Sequence, residues 1–344
     1  MDKIDLRSDT VTHPTQSMRD AMQIARVGDD VLEEDPTIIK LEKQSAVLFK
    51  KESALYVPSG TMGNLISFLV HCPRGTEAIL GDKSHTFIYE AGGISAFGGI
   101  HSHQLKNNDD GMIDIKLIKK AFRKENVHFP RTSLISLENT HNMCFGSPVD
   151  SEYFRGVSNI AKENNVKLHV DGARIFNASV ALNEEVSQLV KDVDSVTFCL
   201  SKGLAAPVGS VVCGTEEFIF EARRIRKALG GGMRQAGIIA AAGLVSLEEM
   251  ISQLEVDHYN AKLLADGINQ INYLETDVEK VRSNIIYFEI NPEKLSGQDL
   301  VRRMAEFNVH FFEVKPNRFR LVTHWEISES NVDYVIKKLE TILL

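Results

Sequence analysis

Asp171 closes the short apolar run in KLHVDGARIFN, and Lys202 stands just beyond another in SVTFCLSKGLAAPVGSVVCG, 31 residues further on. Open α/β sheets place ligand-binding groups at the carboxyl ends of their strands, although an Asp there can also simply open a turn or cap a helix. A Lys with small neighbours at the mouth of a buried strand is unusual, because Lys is rarely buried unless paired; the plain alternative is a Lys that snorkels to the surface. Read together, the two segments supply a carboxylate that can keep a pyridine nitrogen protonated and an amine that can form a Schiff base. These are the protein groups that pyridoxal phosphate requires.

A phosphate site is the third requirement. In VPSGTMGNLISFLV the triplet Ser59-Gly60-Thr61 separates an apolar segment from a helical pattern. Free backbone N–H groups and hydroxyls at a helix N-terminus suit an anion, whereas the triplet taken alone reads as an ordinary N-cap.

The elements that must hold these groups follow from the hydrophobic pattern. From Ala54 to about Gly214 the runs ALYV, EAIL, LISL, KLHVD, SVTFCL and SVVCG read as strands, with LISFLVHC, LIKKAF and YFRGVSNIAKEN as helices between them. Such alternation predicts a mostly parallel sheet flanked by helices. A long helical region, from Arg234 to about Ile271, then leads to a last third of mixed strands and helices, among them IIYFEI, VHFFEV and FRLVTH. The expected organisation is an N-terminal segment, 1–50, that packs on both lobes, a large cofactor domain, 51–250, and a small α+β domain, 251–344. The acidic stretch GDDVLEEDP within the first fifty residues reads as a solvated turn.

The motifs extend over essentially the whole chain: IDLRSDTVT, GDDV and DPT, GTMGN, the run from His85 through EAGG, HFPRTSLISLENTHN, LHVDGARIFNA, CLSKGL with PVGS, RKALGGGMRQ with AAAG, and RLVTH. In this order they resemble the low-specificity L-threonine aldolases, pyridoxal phosphate enzymes of the aspartate-aminotransferase fold (fold type I). The resemblance implies retro-aldol cleavage of L-threonine or L-allo-threonine to glycine and acetaldehyde. The nearest alternatives are β-elimination and transamination, which share the cofactor and fold.

The same resemblance assigns residues. Lys202 would carry the cofactor as an internal aldimine, Asp171 would pair with the ring nitrogen, and Ser59, Gly60, Thr61 and Ser201 would hold the phosphate. His85 would stack on the ring, and Lys227 and Arg234 would lie near a cofactor site, that of a neighbouring subunit. Ser8, Arg174 and Arg320 match residues that bind the substrate carboxylate, a role for which the guanidinium fork is suited. His128 matches a histidine placed near the substrate's β-hydroxyl. Whether His128, His85, Glu90 or a water takes the hydroxyl proton stays open. The family's acidic loop commonly has Tyr after GDDV; here Leu32 stands there, followed by Glu33 and Glu34, which bears on the preference between threo and allo substrates.

Composition narrows the partners. Thirty-nine Lys and Arg against 47 Asp and Glu leave a net charge of −8, which gives no electrostatic reason to expect a nucleic acid. No run approaches the ~20 apolar residues that span a bilayer. Cys72, Cys144, Cys199 and Cys213 are dispersed within or beside apolar runs and read as buried thiols, consistent with a cytoplasmic location. His101 and His103 lack a third ligand and read as surface residues, so no metal is expected. A homotetramer with shared active sites is implied by the resemblance alone.

Overall fold

The computed structural model describes residues 3–344. The N-terminal segment contributes a two-residue strand, β1 (Ile4–Asp5). The apolar runs become β2 (Ser53–Val57), β3 (Glu77–Gly81), β5 (Thr132–Glu138), β6 (Lys167–Asp171), β7 (Ser195–Cys199) and β8 (Ser210–Gly214), joined at one edge by β4 (His101–Leu105). These form a seven-stranded sheet in the order β2-β8-β7-β6-β5-β3-β4. Neighbours from β4 to β7 are parallel, and β8 runs antiparallel to both β7 and β2. The expected mostly parallel sheet is therefore present. Strand β4, HSHQL, has no apolar pattern because it is an exposed edge; His101 points to solvent, and His103 reaches the buried Glu77.

Four more strands build the small antiparallel sheet, β9 (Leu274–Glu275), β10 (Ile285–Ile290), β12 (Phe312–Lys315) and β13 (Arg318–Val322), in the order β12-β13-β10-β9. The remaining one, β11 (Val309–His310), pairs in parallel with β1. The first fifty residues contribute to two hydrophobic clusters. Ile4 and Leu6 join the core of the small domain, while Met18, Ile38, Leu41 and Phe49 join that of the large one. Leu254 belongs to the large core and Ala261 to the small one, so the division falls inside helix Gln253–Asn269.

Two expectations need correction. The helical region after Arg234 is not straight: helix Gly237–Val245 runs on into a π-helical turn, Ser246–Met250, and the stretch Gly237–Met250 then meets helix Gln253–Asn269 at 67°. Ser246 Oγ bonds back to Ala242 O at 2.9 Å, a contact that perturbs the helical ladder where the π turn begins. The acidic loop is not a solvated turn. Asp30 and Asp35 are 1% and 0% exposed: Asp30 pairs with the buried Arg226 at 2.7 Å, and Asp35 caps helix Pro36–Phe49 and accepts Gly237 N at 2.9 Å. All four cysteines are buried and unpaired. No single helix among the described residues is long and apolar enough to cross a membrane.

Candidate active site

The parallel strands bring their carboxyl ends to one edge of the sheet. Chain order reverses between β3 and β5, the switch point where α/β sheets open a crevice. His85 follows β3, Glu138 ends β5, Asp171 ends β6, and Ser201 and Lys202 follow β7. The crevice is stitched across: Glu138 accepts His85 N at 2.7 Å and Asn142 N at 2.8 Å.

Helix Gly60–His71 approaches the same edge, capped by Ser59, whose Oγ accepts Met62 N at 3.2 Å. The N–H groups of Gly60 and Thr61 have no intrahelical acceptor, as at any helix start. Close approach requires glycine here. A Cβ on Gly60 would stand 2.8 Å from Cys199 Sγ, and one on Gly63 would stand 2.6 Å from Thr197 Cγ2.

Asp171 is 3% exposed. Its Oδ1 accepts Ala173 N at 3.1 Å and its Oδ2 accepts Asn64 Nδ2 at 2.8 Å. The same Asn64 amide donates to Glu90 Oε1 at 2.8 Å, and Glu90 Oε1 lies 2.9 Å from His85 Nδ1. Burial and the neighbouring Asp171 charge raise the Glu90 carboxyl above its ordinary range, against the hydrogen bonds from His85 and Asn64. Burial pulls the His85 imidazolium down, but its bond to Glu90 and the charge of Asp171 prevail and raise it. Lys202 is partly buried and close enough to Asp9 for their charges to interact, while its carbonyl accepts Thr12 Oγ1 at 3.1 Å.

The N-terminal segment gathers the residues expected to bind the substrate carboxylate. Ser8 caps the short turn Asp9–Val11. Asp9, fully buried, takes Arg174 Nε and Nη2 at 2.7 and 2.6 Å, and Arg320 Nη2 donates to Arg7 O at 3.2 Å. Ser8, Arg174 and Arg320 therefore converge around residues 7–9. One expectation changes in detail: the Arg174 fork is engaged by Asp9, so Nη1 is the nitrogen left for a ligand. Arg320 Nη1 bonds Asn142 Oδ1 at 2.9 Å, and its buried Nε has no partner.

Three expected residues are not brought to this crevice by their own chain. His128 is exposed in the loop before β5, while the crevice lies at the far end of that strand, roughly 20 Å away at the usual rise per residue. Lys227 and Arg234 are exposed, with Arg234 Nη1 on Asp29 Oδ2 at 3.0 Å. Asp9, Asn64, Glu138 and His169 were not anticipated. The one local signal for Asn64 was an amide within an otherwise apolar helical run.

The set fits pyridoxal phosphate: a buried carboxylate, a lysine just past the adjacent strand end, and N–H groups at a helix start that have no intrahelical acceptor. The sequence as a whole decides the kinship. It is 50% identical over 343 residues to a probable low-specificity L-threonine aldolase 2 of Arabidopsis thaliana, covering 98% of this chain and 97% of that one. It is 41% identical to the low specificity L-threonine aldolase of Escherichia coli K12, covering 96% of each. The chain belongs to the low-specificity L-threonine aldolase family. The beta-eliminating lyase profile, which describes a broader family, matches residues 5–291. A threonine aldolase structure from Leishmania major, 17% identical, superposes with a TM-score of 0.84 over 99% of this chain and 100% of that one, which supports the fold type I architecture. With family and fold known, the crevice between β3 and β5 is the candidate active site of a pyridoxal phosphate enzyme.

Proposed function

We propose that the chain cleaves L-threonine and L-allo-threonine, and other L-β-hydroxy amino acids, between Cα and Cβ, giving glycine and acetaldehyde from the first two. The reading is carried by near full-length identity to threonine aldolases combined with Lys202 and Asp171 at adjacent strand ends. Pyridoxal phosphate, when bound, supplies an electron sink for the pair released at Cα. Lys202 Nζ is the amine that would hold it. The Gly60 and Thr61 N–H groups, with the Ser59, Thr61 and Ser201 hydroxyls, bind its phosphate. Asp171 keeps a proton on the ring nitrogen.

Ser8, Arg174 Nη1 and Arg320 bind the substrate carboxylate and so orient the bond to be broken. The His85–Glu90 pair takes the β-hydroxyl proton: its shared hydrogen bond lets Glu90 stabilise charge on the ring of His85. His128, Lys227 and Arg234 serve the site of a second copy within a homotetramer. Their exposure supports this, as do the exposed apolar side chains Ile24, Leu32 and Val47. Light scattering tests the assembly.

The match to a beta-eliminating lyase profile makes β-elimination the second reading. Incubation with L-threonine separates the two. Acetaldehyde and glycine in equal amounts are expected, and release of ammonia with a keto acid in their place would overturn the aldolase reading.

A further inference from the structure

Asn64 and His71 lie seven residues apart on helix Gly60–His71 and so share a face. His169 and Asp171, two apart on β6, share a sheet face, and Ser195 on β7 stands opposite His169. Gly63 lets the helix settle against β7 closely enough for these polar groups to meet. Three of them are sealed from water, Asn64 at 2% exposed and His169 and Ser195 at 0%, while His71 is half-buried at the outer end. Asn64 Oδ1 lies 3.2 Å from His169 Nε2, His169 Nδ1 lies 2.9 Å from Ser195 Oγ, and Ser195 Oγ lies 2.8 Å from His71 Nε2.

We infer that Asn64, His169, Ser195 and His71 form a one-directional hydrogen-bond relay that positions the Asp171 carboxylate for the cofactor ring, an inference resting on the pyridoxal phosphate reading of the site. Direction follows from counting donors. Both N–H groups of Asn64 meet carboxylates, Asp171 and Glu90, so its Oδ1 must be the atom facing His169. His169 then carries its proton on Nε2. Burial lowers its pKa to about 3 and that of His71 to about 4, so both rings are neutral near pH 7. The bare Nδ1 of His169 accepts the Ser195 O–H, and the Ser195 oxygen accepts the His71 Nε2–H. Every donor points toward Asp171. Aligned dipoles that end positive on a buried carboxylate fix the orientation of that carboxylate, which must pair with the ring nitrogen. Because one amide holds both Asp171 and Glu90, the relay also fixes the ring partner relative to the His85–Glu90 pair. Asn64, His169, Ser195 and His71 are positioning residues, acting through Asp171.

Nitrogen NMR of labelled histidines, on the full-length chain with and without cofactor, reads the relay directly. His169 and His71 are expected to be neutral with the proton on Nε2 from about pH 5 to 9. A proton on His169 Nδ1, or protonation of that ring in this range, overturns the relay. Asn64→Leu keeps the branched shape and removes the amide. Its dissociation constant for pyridoxal phosphate, followed by quenching of the single tryptophan, Trp325, is expected to rise roughly tenfold. Ser195→Ala, a smaller change that tolerates any folding defect of the first variant, is expected to mix the His169 tautomers and weaken the cofactor by about threefold. Wild-type affinity in Ser195→Ala together with an unchanged His169 signal overturns the proposal. A wild-type chain that takes up no pyridoxal phosphate would sink the reading of the site, while the tautomers of the cofactor-free protein would still decide the relay.

Discussion

Asp9 and Arg174, 165 residues apart in sequence, meet in a two-toothed ion pair with contacts of 2.6 and 2.7 Å, the carboxylate fully buried and the guanidinium nearly so. The pair ties the N-terminal segment to the strand end that carries Asp171 and aims the remaining Arg174 nitrogen, while Asn284 Nδ2 adds a third contact to Asp9 at 3.3 Å from the small domain. Removing one partner of a buried pair leaves an uncompensated charge.

Asp9→Asn is therefore expected to lower stability by about 3 kcal/mol near neutral pH, read by urea denaturation. Burial raises the Asp9 pKa, but Arg174 outweighs it and holds the carboxyl far below its ordinary range. For a depressed acid the contribution is complete above the unfolded value of about 4 and declines as pH falls toward the folded one. The gap between wild type and variant should be constant from about pH 8 to 5 and narrow below about pH 4. A gap that stays constant into strong acid would count against the pair.

Asp257 has the opposite sign. It is 0% exposed, and burial, opposed by a hydrogen bond from Gln253 and helped by the charge of Asp9, pushes its pKa up to about 7. A raised acid is at no disadvantage below the unfolded value of about 4, and stability is lost as pH climbs through the folded one. Asp257→Asn is expected to raise the melting temperature at about pH 8 by several degrees and to change it little at about pH 4. Equal shifts at both values would refute the account.

Lys202→Ala removes the amine assigned to the cofactor. Turnover of L-threonine and the long-wavelength absorbance of the purified enzyme should both vanish, with the fold preserved by circular dichroism. Undiminished turnover in this variant is the result that would falsify the assignment.

Leu32 is 64% exposed on the turn Asp30–Leu32, whose Asp30 N bonds Arg234 O at 3.1 Å. Leu32→Tyr touches no core of its own chain, so circular dichroism should report an unchanged fold. The ratio of kcat/KM for L-allo-threonine over L-threonine is expected to move severalfold, and stereo-resolved kinetics on both substrates checks it. An unchanged ratio removes this position from the substrate pocket.

What the sequence determined by itself is whatever depends on neighbours along the chain. Strands β2, β3, β5, β6, β7 and β8 are legible because buried strands are continuous apolar runs, and Ser59, Asp171 and Lys202 are legible because each stands at the end of one. Strand β4 was hidden by its exposed polar edge, and the bend after Met250 by a helical pattern that a π-turn does not interrupt. Only the tertiary structure decided what meets across long separations. Asp30 and Asp35 look like a solvated loop until Arg226 and the N–H of Gly237 arrive from 196 and 202 residues away. His128 belongs to the right motif, yet a seven-residue strand carries it to the opposite end of the sheet from the crevice. Asn64, set in an apolar helix, acquires its meaning from Asp171, Glu90 and His169, because a buried amide must satisfy every donor and acceptor and only the assembled fold supplies them.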